Sequence, residues 1–156
     1  MRRALVCSFV VAVSLCLVSG ARAEEKKAAA PAKKAAPKYK IWTASDVKFV
    51  DAEVKGVQMA VLWGDPKKGE YGAVAKFAAG NDAGWHTHTN RIRLVMISGT
   101  LVIEVDGQPA KELTATAYVD EPGKIKHKTS CKAGADCVFF MHGHGAFDFI
   151  PSEAKK

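Results

Sequence analysis

An all-β fold is predicted for the chain from Ile41 onward, on three observations. No stretch there carries a helical repeat of apolar residues. The periodicity is two instead, and short apolar runs alternate with Gly/Pro turn signals at regular spacing. Val57 to Trp63 is a nearly continuous apolar run that stops at Gly64-Asp65-Pro66, and Tyr71 to Ala78 is the next strand candidate. Arg93 to Ile97 leads into Ser98-Gly99. Thr100 to Val105 then alternates, with Leu101, Ile103 and Val105 on one face, before Asp106-Gly107 closes it. Tyr118-Val119 precedes Glu121-Pro122-Gly123, and strands are expected again at Lys126 to Cys131 and Cys137 to Met141. Such a pattern belongs to a β-sandwich or barrel.

The 156 residues suffice for one domain with a real core. The net charge of +7 is unevenly placed: residues 1–23 contribute +3, residues 24–40 contribute +4, and residues 41–156 balance fourteen basic against fourteen acidic side chains. A nucleic-acid-binding domain would spread positive charge over its folded surface, so that class is excluded. Residues 1–23 read as an export signal: Arg2 and Arg3, then an uncharged run of seventeen residues from Ala4 to Gly20, then Ala21-Arg22-Ala23 as a cleavage site. The competing reading is an uncleaved anchor, for which the run is short against the usual span of about 20 residues. A periplasmic or secreted protein beginning at Glu24 is expected. Residues 24–40 form an Ala/Pro/Lys-rich linker in which Pro31 and Pro37 interrupt any helix. It is read either as a solvated spacer or as a lysine-rich tail in weak contact with the anionic cell envelope. The domain then spans residues 41–156.

All five histidines lie between positions 86 and 144. His86 and His88 are two apart, so on a strand both rings project from one face and can share an ion. Gly80-Asn-Asp-Ala-Gly-Trp-His86-Thr-His88, with Gly99 eleven residues after His88, resembles the first motif of the cupin superfamily. Pro122-Gly-Lys-Ile-Lys-His127 resembles the second, and the ending His142-Gly-His144-Gly-Ala-Phe looks like a branch of small, single-domain bacterial cupins.

That resemblance implies a cupin-type double-stranded β-helix, a jelly-roll barrel, with His86, His88 and His127 converging in its mouth. The family carries a glutamate four residues after the second histidine, where this chain has Ile92. Strand parity places Ile92 inward, and Arg91 and Arg93 outward. Three neutral imidazoles without a carboxylate point to zinc, with Mn, Fe or Ni as alternatives, and away from oxygen activation. His142 is a fourth candidate ligand. If residues 127–131 and 137–142 form a hairpin, direct pairing of Cys131 with Cys137 turns His142 away, and a one-residue slip brings it beside His127. The competing reading keeps these histidines as hydrogen-bonded walls of a metal-free pocket.

In an oxidising compartment Cys131 and Cys137 form an even pair around a five-residue turn, so a disulfide is expected, with a soft metal pair as its rival. Asp120-Glu121 read as solvated turn residues, and Trp85, Phe139, Phe140 and Met141 as core. No phosphate-binding glycine loop or activated serine is found. The function that fits is an exported cupin binding a divalent metal and a small molecule, with catalysis open. The alternative is a periplasmic ligand-binding or sensor cupin without metal. A homodimer is implied by the resemblance alone.

Overall fold

A computed structural model describes residues 38–153. The export signal expected at 1–23, and all but the last three residues of the linker, lie outside the described residues. The strands are β1 (Val50–Asp51), β2 (Val57–Gly64), β3 (Tyr71–Phe77), β4 (Asp82–Thr87), β5 (Ile92–Ser98), β6 (Leu101–Val105), β7 (Lys111–Leu113), β8 (Tyr118–Glu121), β9 (His127–Cys131), β10 (Cys137–Gly143) and β11 (Ile150–Pro151). The seven stretches with period-two patterning all appear, with ends moved by a residue or two. β1, β4, β7 and β11 are additional; β1, β7 and β11 are too short to carry a periodicity signal of their own.

These strands make two antiparallel sheets. One has six strands in the order β1-β2-β3-β10-β5-β8, and the other has five in the order β11-β4-β9-β6-β7. Beyond the consecutive pairs β1-β2, β2-β3 and β6-β7, neighbours such as β3-β10, β10-β5, β4-β9 and β11-β4 are distant in sequence, as in a jelly roll. No ladder joins the sheets among the described residues, so the roll is an open double sheet rather than a closed barrel. Its core lies between the inner faces. β10 alternates buried and half-buried residues along its whole length, so Cys137, Phe139 and Met141 point inward while Phe140 and His142 point outward. Leu101 and Tyr71 are completely buried, and Leu94 and Met96 pack into the same cluster.

The expected hairpin of residues 127–131 with 137–142 is not formed. A strand has two edges, and both strands have theirs occupied: β9 lies between β4 and β6, and β10 between β3 and β5. Residues 132–136 therefore turn a corner between the sheets. Lys132 N–H donates to the Thr100 carbonyl at 3.0 Å, and Asp136 accepts from the Ala79 amide at 2.9 Å. The Cys131–Cys137 disulfide ties the sheets together at this corner, with the Cα atoms 5.8 Å apart.

Candidate metal centre

His86 and His127 are direct cross-strand partners in the β4–β9 ladder. On an antiparallel pair such residues share a face at close range, and their ring centroids are 4.2 Å apart. A register shift between Asp82 and Trp85 precedes His86. It brings the Gly84 carbonyl to the His86 Nδ1–H at 2.9 Å. His88, two residues beyond His86 and just past the end of β4, keeps the same face, with its ring centroid 4.9 Å from that of His86. One nitrogen from each of the three rings lies within 4.8 Å of the others, and all three side chains are buried. Donors about 2 Å from a common ion are themselves separated by roughly 3–4 Å, so the spacing suits one cation.

The outer nitrogens decide the protonation pattern. His86 Nδ1 faces the Gly84 carbonyl, His127 Nδ1 faces the Ile125 carbonyl at 2.9 Å, and His88 Nδ1 faces the Asp148 carbonyl. A carbonyl only accepts, so each Nδ1 carries the proton and a neutral ring presents its Nε2 lone pair to the cavity. This is how metal-ligating histidines are usually oriented. Burial reinforces it, pushing His86 down to about 4 and His88 below its ordinary value. At His127 burial works the same way, but the neighbouring Glu121 carboxylate outweighs it and the net shift is upward.

Glu121 is the residue that sequence reasoning missed. It was read as solvated in a turn, yet it ends β8 with only 14% of its side chain exposed and points into the pocket. Its Oε1 lies 2.7 Å from His127 Nε2 and 3.8 Å from His88 Nε2. That oxygen is buried, and a proton on His127 Nε2 would be shared with it. A buried carboxylate oxygen and three ring nitrogens aimed at one point can be satisfied by a proton held between His127 and Glu121 or by a cation that replaces it. The register explains the relocation. Ile92 lines the cavity as parity predicts, and its direct partner in the β5–β8 ladder is Glu121. The carboxylate lost at position 92 returns from the facing strand on the same side of the sheet. Asp120, one residue back, points outward to Arg91 and Arg93 at 3.4 and 3.5 Å.

Two further segments complete the site. Gly123 packs so closely on the turn after His88 that a Cβ there would sit 2.2 Å from the Thr89 carbonyl oxygen, and the Lys124 amide donates to the His88 carbonyl at 2.6 Å. This contact binds the first histidine segment to the loop that leads to His127. Residues 147–149 form the other wall. Phe149 stacks on His86 with centroids 4.2 Å apart, Phe147 lies 5.3 Å from the ring of His88, and Asp148 accepts from the Thr89 amide at 2.8 Å. The spacing of Phe147 and Phe149, two apart, was the available sequence signal. The histidines and Glu121 border a cavity of about 60 Å³, otherwise lined mostly by apolar side chains such as Val57, Met59, Leu94 and Phe139. The Tyr71 hydroxyl is buried without a partner, and burial, with Glu121 and Asp148, holds it un-ionised.

His142 is not among the residues brought together here. It faces outward from β10, paired in register with Gly72 and Arg93, and its Nε2 meets Glu70 Oε1 at 2.7 Å. His144 lies beside it, with ring centroids 4.3 Å apart.

A double-sheet jelly roll with three inward histidines from two separated motifs defines a cupin. The sequence profile of the ChrR cupin-like domain matches residues 38–148, and the chain belongs to that family. No curated protein matches it. Among solved structures it is similar to the polyketide cyclase RemF from Streptomyces resistomycificus, at 13% identity and a TM-score of 0.65 over 76% of this chain and 89% of that one. An RmlC-like cupin from Ralstonia eutropha JMP134 is similar at 17% identity and a TM-score of 0.61, over 76% of each chain. The DMSP lyase DddQ from Ruegeria pomeroyi DSS-3 is similar at 13% identity and a TM-score of 0.58, over 71% of this chain and 64% of that one. At such identities the likeness concerns the fold.

Proposed function

We propose that the protein is an exported, single-domain cupin that holds a divalent first-row metal ion through Nε2 of His86, His88 and His127 and a Glu121 carboxylate oxygen, and takes a small molecule in the adjoining cavity. The observation that carries this reading is the set of three Nδ1–H groups directed at backbone carbonyls, which turns three Nε2 atoms toward one another and toward a buried carboxylate oxygen. Glu121 also alters the choice of metal. Its negative charge offsets part of the ion's, so the case against Fe(II) or Mn(II) drawn from Ile92 no longer holds, and these stand with Zn(II) and Ni(II).

A bound ion of this kind supplies Lewis acidity to an oxygen of the ligand or to water. The chain's own residues do the rest. Phe147 and Phe149 shield the histidines from solvent, and the apolar wall selects the ligand body. A volume of about 60 Å³ admits roughly four or five water-sized groups, so the ligand is small, with a polar end toward the histidines. Two copies associate through the outer face of the six-stranded sheet. There Val74, Phe140, Val95 and Tyr118 follow one another in register across four strands, with Val95 40% and Tyr118 58% exposed.

The test is elemental analysis of the untagged protein purified from its own cell envelope. One equivalent of divalent metal should be lost in the His86→Ala/His88→Ala variant. Wild-type protein carrying no more metal than this variant, with unchanged small-molecule binding, would establish the metal-free sensor instead.

A further inference from the structure

The outer surface of the six-stranded sheet holds a second group of metal-binding side chains that the barrel site does not use. We propose that Glu70, His142 and His144 form a separate, solvent-facing site for a borderline divalent cation, with Cu(II) bound most tightly. One donor atom from each lies within 4.8 Å of the other two, with His142 half-buried and the others exposed. The strand pairing makes this arrangement. Gly143 is the register partner of Tyr71, so its chain neighbours His144 and Glu70 face each other one step beyond the ladder. His144 is held there by its backbone amide, which donates to the Arg91 carbonyl at 3.0 Å. His142 and His144, two apart, project to the same side, and their rings are inclined by only 31°.

A third device faces the same point. The β2–β3 ladder slips between Val61 and Trp63. A bulge shifts every later side chain of its strand to the opposite face, and this one turns Trp63 outward. The indole then crosses Gly72, where a Cβ would sit 2.1 Å from its Nε1, and its ring comes within 5.3 Å of His142. Trp63 thus walls one side of the cluster and leaves the other open to water. Arg91 and Arg93 also act on His144, and Asp120 pairs with both at 3.4 and 3.5 Å, which limits their repulsion of a cation. An exposed His142–Glu70 ion pair by itself contributes little to stability. Two imidazoles and a carboxylate with open positions are a donor set for Cu, Ni or Zn, and the affinity order of divalent ions places Cu(II) first.

Trp63 provides the readout, because Cu(II) at van der Waals range quenches indole fluorescence. Trp85 adjoins the barrel site, so the titration is run with full-length metal-free His86→Ala/His88→Ala protein and Cu(II) alone. One equivalent should quench fluorescence in that background, and adding Trp63→Phe should remove the quench while retaining the equivalent. Adding His142→Ala/His144→Ala should abolish that equivalent, and Glu70→Gln should weaken it by at least the roughly 10–100-fold that loss of a supporting group costs. Gln in place of Ala at both histidines serves if the Ala variant loses its β-sheet circular dichroism. Unchanged Cu(II) stoichiometry and affinity in the folded His142/His144 variants would overturn the proposal. It is independent of the barrel reading, since two of the four barrel ligands, His86 and His88, are absent throughout and only the outer-site variants are compared.

Discussion

At the scale of single residues, the chemistry turns on the exchange between Ile92 and Glu121. The two are direct partners across β5 and β8 and share the inner face. A carboxylate at either position can therefore reach the same cavity from Cβ atoms only about 5 Å apart. Glu121→Gln, which keeps the shape and removes the charge, is expected to lower barrel metal affinity by about 10–100-fold, read by competition with a chelator. The swap Ile92→Glu/Glu121→Ile should recover most of that loss. A swap as weak as Glu121→Ile alone would show that the two positions are not equivalent. His86, His88 and His127 were legible because their motifs have fixed local spacing. Glu121 was not, since its role comes from pairing with a residue 29 positions away in sequence. No local pattern separates an inward Glu121 from an outward Asp120.

At the scale of elements, the corner between β9 and β10 carries the clearest lesson. Cys131 and Cys137 bracket a turn, and the sequence points to both a disulfide and a hairpin. The disulfide is present, but the strands it joins belong to different sheets. Turn residues announce that the chain reverses; they do not say which edges are already taken. His142 accordingly lies outside, where its neighbours are Glu70 and Trp63. Because the bridge closes a short loop, its loss in Cys131→Ser/Cys137→Ser should cost about 2 kcal/mol. Urea unfolding would show this as a lower midpoint, with a slope at least as steep because the freed unfolded chain is less compact. An unchanged midpoint would mean that the packing of Cys137 and Leu101 holds the corner unaided.

For the whole molecule, charge and surface pattern separate two regions of behaviour. The folded domain is balanced in charge, while the excess lies in residues 1–40. The outer apolar row of the six-stranded sheet departs from an ordinary solvated face, since antiparallel sheets with one wet side usually alternate polar residues there. Light scattering with size exclusion should therefore give a dimer mass, and Val95→Lys/Tyr118→Lys should shift it to the monomer without changing circular dichroism. A wild-type monomer at tens of micromolar would remove this interface. The all-β class, the cupin motifs and three of the four inward donors could be read from the residues alone, because alternation and turn chemistry are local properties written in consecutive residues. That Glu121 faces those histidines, that His142 does not, and that β9 and β10 part at their shared turn emerge from the folded arrangement. Each of these depends on which strand edges meet, and edge pairing is settled by the packing of the whole core.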